Sequence, residues 1–352
     1  MTWLVVSSCA ALRFARIGIT IAAMLLTKQV MGASSFTLTP TSEGMQVKTS
    51  DGRVVLEYKT KIPTGVQSPS AAYFDPVNTP SGERVSNAGP DDHPWHRGIF
   101  LGILASEFRT PADTSKAPPN HLVGAYNIKR ADFWAWGLYA PREGRVIKNR
   151  DIRLISADEK HARLEIVNDW LVDGKKMLEE TNEVTVTERD GVFVIDLAYR
   201  MAPVVDFVLD QTAFGGFVFQ AQKYGESYYS NASGKVTDLP GPHYSLPDSD
   251  WPSEPWYDYS IKLKSDGKLV GVAILDHPMN PPTRWHNTLW MVNPCTTTFG
   301  SQTIHPNAPQ ILRYRVVIHD GPPPTETIQK LSVEWRGMKA DPFIAQAASA
   351  AR

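Results

Sequence analysis

Apolar and polar residues alternate along much of this chain with a period of two. The segments 162–166 and 183–187 alternate apolar residues with charged or hydroxyl-bearing ones. Because successive side chains of a strand point to opposite faces, this alternation predicts half-buried antiparallel strands. The segment 192–199 is almost continuously apolar and follows the turn dipeptide Asp190-Gly191. It is therefore predicted as a central strand covered on both faces.

Further segments carry the same strand-like pattern. They are 44–49, 54–59, 99–104, 216–222, 259–264, 269–275 and 311–318. One helix is predicted near the end, where prolines open a segment with Ile328, Leu331 and Trp335 on one face and Gly337 closes it. The sequence thus predicts an all-β fold: a large antiparallel β-sandwich, of the supersandwich kind, with long loops and one short C-terminal helix.

The beginning of the chain is typical of a signal peptide. Arg13 and Arg16 precede the apolar run 17–26, and small residues follow near Gly32. The run is too short to cross a bilayer core of about 30 Å as a helix. We therefore expect 1–32 to be a removable signal, and the mature protein to be periplasmic or secreted with no membrane contact.

The rest of the chain shows no Ser- or Gly-rich linker, so a single β-sandwich domain is predicted over 36–338 and a disordered tail over 339–352. Three long Pro-rich connections interrupt the strands, at 60–97, 106–120 and 238–258. Long ordered loops on a rigid scaffold are where functional sites usually lie.

Charge and cysteine content narrow the classes of partner. The chain has 36 Lys and Arg against 37 Asp and Glu, which gives no positive field to hold a polyphosphate, so we expect no nucleic-acid partner. Cys9 lies in the predicted signal and leaves Cys295 alone, so no intrachain disulfide is possible. No activating residue stands beside Cys295, and we expect it to be buried and inert.

The densest group of chemically useful side chains lies in the segment 89–98. Its candidate site residues are Asp92, His93, Trp95, His96 and Arg97. Pro94 prevents a regular helix, so a shaped loop presents these side chains at the entrance of the following strand. Such a group can bind a metal, relay protons or grip a polyol, and the His-x-x-His spacing outside a helix does not choose among them. The alternative is that the imidazoles only satisfy loop carbonyls.

A second group repeats the Asp-His-Pro triplet and ends in Arg-Trp-His. Its candidate residues are Asp276, His277, Asn280, Arg284, Trp285 and His286. Loops that leave the same end of a sandwich converge, so we expect both groups to share one cleft within about 10 Å. Asp92 or Asp276 should then stand behind an imidazole and fix its tautomer. Asp276 and His277 can equally well bond their own turn.

Six motifs resemble a known family of bacterial proteins. In chain order they are Asp92-His93-Pro94-x-His96-Arg97-Gly98, Asp132-Phe133-Trp134, Trp256-Tyr257-Asp258-Tyr259-Ser260, Gly271-Val272-Ala273-Ile274-Leu275-Asp276-His277-Pro278-x-Asn280-Pro281, Thr283-x-Trp285-His286 and Asn293-Pro294. The pattern is similar to the exported family catalogued as "methane oxygenase PmoA", from about Tyr73 to Asp320. Trp95 stands where that family usually has a histidine, which weakens any role that needs three imidazoles.

The family name does not fit this chain as chemistry. A particulate methane oxygenase subunit spans the membrane several times, and no apolar run of that length follows the predicted signal. Similar members are exported by polysaccharide-degrading bacteria and resemble galactose mutarotase-like sandwiches. The resemblance implies a carbohydrate partner, and aromatic rings beside polar side chains suit a sugar.

We therefore predict an exported carbohydrate-active enzyme acting on a glycoside or oligosaccharide. His93, His96 and His286 would be acid/base groups, with Asp92 and Arg97 orienting them. Trp285 would be a stacking wall, and the remaining candidates of the two groups would bind substrate.

Lyase, epimerase and hydrolase chemistry all stay open. No carboxylate pair stands out, which favours His-based elimination or epimerisation over hydrolysis. Whether a divalent metal held by His93 and His96 serves as a cofactor also stays open. The alternatives are a non-catalytic glycan-binding protein and, least favoured, the copper-dependent oxygenase that the family name states.

Overall fold

The computed structural model describes residues 35–62, 68, 70–116, 124–239 and 251–339. The predicted signal peptide and nearly all of the predicted tail lie outside the described residues, and the domain bounds stay predictions.

Nine strands of the described chain form one antiparallel sheet, the front sheet. They are β1 (Thr37–Pro40), β2 (Gly44–Lys48), β3 (Val54–Lys59), β4 (Tyr73–Val77), β5 (Ile99–Gly102), β13 (Gly216–Gln220), β18 (Arg284–Trp285), β19 (Met291–Val292) and β20 (Pro294–Cys295). The order across the sheet is β1-β2-β3-β4-β5-β13-β20-β18, and β19 also pairs with β13. Strands β5 and β13 are thus neighbours in the sheet although they come from distant parts of the chain.

Nine further described strands form the back sheet, which is also antiparallel. They are β8 (Arg145–Ala157), β9 (His161–Val172), β10 (Lys175–Arg189), β11 (Val192–Pro203), β14 (Gly225–Asn231), β15 (Gly234–Lys235), β16 (Trp256–Leu263), β17 (Leu269–Asp276) and β22 (Gln310–Asp320). Their order is β15-β14-β16-β17-β22-β11-β10-β9-β8. The strand predicted over 192–199 is therefore internal, between β22 and β10.

A smaller side sheet and two helical segments complete the described elements. The side sheet has the order β21-β12-β6-β7. Its strands are β6 (Ser106–Pro111), β7 (Tyr126–Ala131), β12 (Asp206–Leu209) and β21 (Gln302–Ile304). A 3₁₀ turn covers Thr114–Lys116, and α1 covers Thr325–Gly337. Among the described residues, no helix has both the length and the apolar character needed to traverse a lipid bilayer.

The main core lies between the front and back sheets. Phe217 of β13 stacks on Tyr314 of β22 with ring centroids 4.3 Å apart. The Tyr58 hydroxyl of β3 donates to Asn168 Oδ1 of β9 at 2.9 Å. The side sheet joins the same core through Phe207, which is fully buried. Burial of these rings between two sheets is what holds a sandwich without disulfides.

Helix α1 covers the outer face of the back sheet. Its buried residues Ile328, Leu331 and Trp335 pack against Val194 of β11 and Val317 of β22. Both faces of β11 are therefore buried there, which explains its nearly unbroken apolar sequence. The predicted all-β antiparallel sandwich with one C-terminal helix is confirmed.

Candidate functional site

The outer face of the front sheet carries a second apolar group, which we call the outer cluster. Its buried members are Tyr73, Phe100, Leu104, Ala105, Trp134, Ala213, Phe214, Val218 and Met291, and Ala88, Trp95, Trp136 and Leu289 pack against it. Along β4, β5 and β13 these side chains alternate with residues of the main core. The same period-two pattern thus builds the core on one face and, on the other, the apolar floor of the candidate site, which we call the cleft.

The indole rings of the loop 132–137 pack against this apolar floor. The Asp132 carboxylate accepts the backbone N–H groups of Trp134 at 2.8 Å, Ala135 at 2.9 Å and Gly137 at 2.5 Å. This fixes a tight turn of the Asx kind. Gly102 of β5 completes the fit, because a Cβ there would lie 2.6 Å from the Trp134 ring.

His96 stands at the centre of the outer cluster. Its ring lies 5.6 Å from that of Trp134 and 4.8 Å from that of His93. Only 3% of the residue is exposed. Its Nδ1 is 2.7 Å from Gln220 Oε1. Burial lowers the pKa of His96 to about 3, and the hydrogen bond to Gln220 only partly opposes that shift, so the imidazole is neutral at physiological pH.

His93 is the half-exposed neighbour of His96. Asp92 Oδ2 lies 3.4 Å from His93 Nδ1, longer than a normal hydrogen bond. Asp92 Oδ1 instead pairs with Lys223 Nζ at 2.7 Å. Burial would raise the pKa of Asp92, but the hydrogen bond from Lys223 and nearby positive charge hold it below its ordinary value. Lys223 also lies 4.9 Å from the ring centroid of Trp290.

An aromatic wall borders the two imidazoles. Trp95 and Trp136 stack with centroids 5.8 Å apart and an angle of 15° between the planes. Both are half-buried, and Tyr139 meets the edge of Trp136 at 5.8 Å and is itself exposed. Flat rings with one open face are what the apolar side of a sugar stacks on.

His286 reaches the same cluster from the second predicted group. Its ring centroid is 5.2 Å from that of Phe214, which in turn is 5.9 Å from that of Trp134. His286 is buried, and its backbone N–H donates to the Asn293 carbonyl at 2.8 Å. His96 and His286 therefore lie on one aromatic cluster, although they come from distant parts of the sequence.

Arg97 was predicted to orient the imidazoles, but its hydrogen bonds within the described chain go to other loops. Arg97 is 1% exposed. Its guanidinium donates to the hydroxyl of Ser68 and, at 3.2 Å each, to the carbonyls of Ser70 and Phe133. It lies 4.7 Å above the ring of Phe100. Arg97 thus braces loops beneath the cleft, and burial lowers its pKa to about 10.

Trp285 does not face the cleft in the predicted way. Trp285 belongs to the main core, where its ring packs edge-on against Tyr257 at 5.0 Å. Its indole N–H donates to the Glu254 carbonyl at 2.8 Å. The prediction of a stacking wall at Trp285 is therefore wrong, since its ring is enclosed. The Arg284 guanidinium lies 4.7 Å from the ring of Phe299, and its predicted contact with substrate stays a prediction.

A separate hydrogen-bonded turn lies at the end of β17 and contains Asp276, His277 and Asn280. The Asp276 carboxylate accepts hydrogen bonds from Asn280 Nδ2 and from the Thr283 hydroxyl, both at 2.7 Å. Asn280 also exchanges two bonds with the backbone of Arg313. Asp276 and His277 thus bond within their own turn, which is the alternative that the sequence left open. Asp276 does not stand behind an imidazole of the cleft, and Asn280 is used by the same turn and by β22.

Several residues of the site were missed or undervalued by sequence reasoning. Trp134, Trp136 and Phe214 are typical of packing aromatics, and Lys223 gave only a weak signal. Gln220 was not predicted at all. The one available signal was a polar side chain that ends the apolar strand segment 216–220. Cys295 is buried as expected, and burial raises its pKa.

The donor set was also compared with what a metal ion needs. In the part of the chain that the structure describes, no group of three or more His, Cys, Asp or Glu side chains is arranged to hold a metal. His93 and His96 supply two imidazoles, fewer than the three protein ligands of a typical catalytic zinc site. The described residues therefore do not fit such a site.

Together, fold and site define an antiparallel β-sandwich protein with an imidazole-containing, aromatic-walled cleft on one sheet. The chain belongs to the family of unknown function DUF6807, whose family model matches residues 46–332. That description does not mention methane oxidation, so this match gives the oxygenase name no support. No curated protein sequence matches the chain.

Solved structures with a similar fold are remote in sequence. One is a galactose mutarotase related enzyme from Lactobacillus acidophilus, at 10% identity and a TM-score of 0.34, with 81% of this chain and 97% of that chain covered. Another is the GH36 α-galactosidase AgaA of Geobacillus stearothermophilus with stachyose, at 12% identity and a TM-score of 0.32. There the alignment covers 81% of this chain and 40% of that chain. These scores are too low to carry a functional conclusion.

Proposed function

We propose that the protein is a carbohydrate-active enzyme whose site is the cleft on the outer face of the front sheet. The observation that carries this proposal is a pair of imidazoles with centroids 4.8 Å apart, one buried and neutral and one half-exposed, beside the stacked rings of Trp95 and Trp136. Stacking rings orient a sugar, and paired titratable groups in different surroundings are suited to move its protons.

The two imidazoles are suited to different tasks. His96 is buried and uncharged, so it can accept a proton from a substrate carbon or hydroxyl. His93 is nearer to solvent, and its Nδ1 lies 3.4 Å from the Asp92 carboxylate, so we assign it the role of proton donor. Elimination needs one group to remove a proton from carbon and another to deliver a proton to the leaving oxygen. Epimerisation needs one group to remove a proton from one face of a carbon and another to return a proton to the opposite face.

Hydrolysis by a carboxylate pair fits the described site less well. Such a mechanism needs one protonated carboxyl group opposite an ionised one, roughly 5 to 10 Å apart. Asp92 is paired with Lys223, and its pKa is held below the ordinary value, so it stays ionised. We therefore favour a lyase or an epimerase.

A non-catalytic glycan-binding role is the second candidate. The exposed Tyr139 and the half-buried Trp136 extend the aromatic surface beyond the imidazoles, as a sugar-binding surface would. That role makes no use of a buried neutral histidine, which costs stability at acid pH.

The experiment is a product screen of plant and algal oligosaccharides, including 3-keto glycosides, with mass-spectrometric detection. His96→Asn keeps an N–H donor toward Gln220 but removes the Nε2 base. We expect it to lower turnover by roughly 10²- to 10⁴-fold. His305→Asn is the control, because that exposed imidazole also sits beside a carboxylate, Asp206 at 2.9 Å, away from the cleft.

The outcomes separate the two candidates. Turnover that falls in His96→Asn and persists in His305→Asn supports the enzyme. Oligosaccharide binding by calorimetry, with no product from the unaltered protein and equal affinity in both variants, would show a binding protein instead.

A further inference from the structure

Gln220 is a fully buried amide at the end of β13 that contacts His96 on one side and backbone on the other. Its Oε1 lies 2.7 Å from His96 Nδ1. Its Nε2 donates to the carbonyls of Ala221 and Leu289, each at 3.2 Å, and lies 3.5 Å from the carbonyl of Trp290. Every polar atom of this amide is therefore used within the protein.

These contacts fix which way the amide points. Turning it over would place Oε1 against backbone carbonyl oxygens, which cannot donate, so the N–H side must face Leu289 and Ala221. The oxygen then faces His96. Because an amide oxygen only accepts, His96 Nδ1 must carry a hydrogen, and the lone pair of the neutral ring is on Nε2.

The carbonyls that hold the amide come from a strained piece of backbone. Leu289 and Trp290 have φ values of 52° and 61°, the left-handed region that L residues rarely adopt. The backbone N–H of Ala221 donates to the Trp290 carbonyl at 2.9 Å, which ties this segment to the end of β13. Strained residues that persist beside a cleft are a common mark of a positioned site.

We propose that Gln220 is a positioning residue: it holds His96 in the tautomer with a hydrogen on Nδ1, so that Nε2 is the proton acceptor of the site. This inference rests on the proposed function for its catalytic consequence. The tautomer itself is a property of the resting protein and can be measured without a substrate.

The test is long-range ¹H–¹⁵N NMR of the ¹⁵N-histidine-labelled mature protein, with the His96 signals assigned by their loss in His96→Asn. In the unaltered protein we expect Nδ1 to be the protonated nitrogen and Nε2 the unprotonated one. Gln220→Met keeps the volume but removes the acceptor, so we expect a mixture of tautomers. Turnover should fall roughly 10- to 100-fold in kcat with little change in KM.

Two further variants separate positioning from simple packing. Gln222→Met is the matched control, since its amide also donates to a backbone carbonyl, that of Ser86 at 2.7 Å, and among the described residues it shares no hydrogen bond with an imidazole. It should leave the His96 tautomer unchanged. Gln220→Glu puts an oxygen against the carbonyls of Ala221 and Leu289, so its carboxyl group should be protonated, with the hydroxyl donating to a carbonyl. The other oxygen still accepts from Nδ1, so this variant should keep the tautomer.

A protonated Nε2 in the unaltered protein, or an unchanged tautomer in folded Gln220→Met, would overturn the inference. If the tautomer behaves as expected but His96→Asn retains full turnover, the proposed function fails while the structural role of Gln220 stands.

Discussion

The two Asp-His-Pro triplets of this chain have the same sequence and opposite surroundings. In the first, Asp92 reaches Lys223 at the cleft, and His93 is half-exposed beside His96. In the second, the Asp276 carboxylate accepts hydrogen bonds from two side chains, and His277 accepts the Met279 N–H at 3.1 Å and packs against Trp335 of α1.

The difference comes from what each triplet meets. Asn280 and Thr283 follow the second triplet closely and supply both donors that Asp276 needs. Helix α1 then covers that edge of the back sheet. Among the described residues, the side chains that follow Asp92 donate no such pair of hydrogen bonds to it, and Lys223 pairs with it instead. The outer cluster beside it includes the half-buried rings of Trp95 and Trp136. The same three residues are thus structural in one place and available in the other, because their partners differ.

The largest expected effect is the loss of stability when the hydrogen bonds or ion pair of each triplet are removed. Asn280→Ala removes the bonds to Asp276 and to the backbone of Arg313 and leaves buried polar atoms unpaired. We expect it to lower the free energy of unfolding by about 2–4 kcal/mol. Asp92→Ala should cost less than about 1 kcal/mol, because its ion pair is partly exposed. Urea unfolding measures both, and equal costs would refute the contrast.

The second test uses the opposite pKa shifts of buried groups at the two places. Burial raises the pKa of Asp276 to about 6, above its ordinary 3.8, so its contribution to stability is present below about pH 4 and is lost as the pH rises through 6. Burial lowers the pKa of His96 to about 3 from 6.5, so its contribution is present above pH 6.5 and is lost as the pH falls.

Each pH dependence of the free energy of unfolding should disappear when the residue that causes it is replaced. Between pH 6.5 and 5 the unaltered protein should lose roughly 2 kcal/mol relative to His96→Asn. Between pH 4 and 5.5 it should lose a similar amount, roughly 2 kcal/mol, relative to Asp276→Asn. Urea unfolding at several pH values measures the differences, and slopes of the same sign would contradict the assignment.

The smallest effect is expected for Lys223→Gln. Removal of the ammonium group should let the pKa of Asp92 rise, because burial then acts without the hydrogen bond that opposed it. Stability should change by less than about 1 kcal/mol, since the side chains are 17% and 36% exposed. A carboxyl ¹³C titration of Asp92 measures the shift, and an unchanged titration would show that Lys223 does not control this carboxylate.

The fold followed from the sequence because period-two patterning directly reports which face of a strand is buried. The segment 54–59 has the predicted bounds, and α1 buries the three residues expected of it. Within β18 and its continuation, however, Trp285 and His286 point to opposite sides. A shift of one residue along a strand moves a side chain from the core face to the cleft face. No local sequence pattern indicated which of these two residues faces the core.

The sequence predicted residues of the candidate site only where several kinds of polar side chain lie close together along the chain. His93, His96 and His286 stood out in this way. Arg97 stood out equally and is instead a buried brace, because burial depends on chain segments far away in the sequence. Gln220 had no such neighbours, and its importance depends on backbone carbonyls that only the tertiary structure brings to it.

The bond between His96 and Gln220 also bears on the order in which the chain folds. The two residues are 124 positions apart, and the carbonyls that orient Gln220 come from 69 and 70 positions further on. Contacts of such long range form slowly, because loop-closure entropy is spent before any contact compensates it. A chain still emerging from synthesis, or a fragment that ends before residue 289, lacks the carbonyls that orient Gln220. The fixed tautomer of His96 therefore marks the completion of folding, later than the regain of strand content.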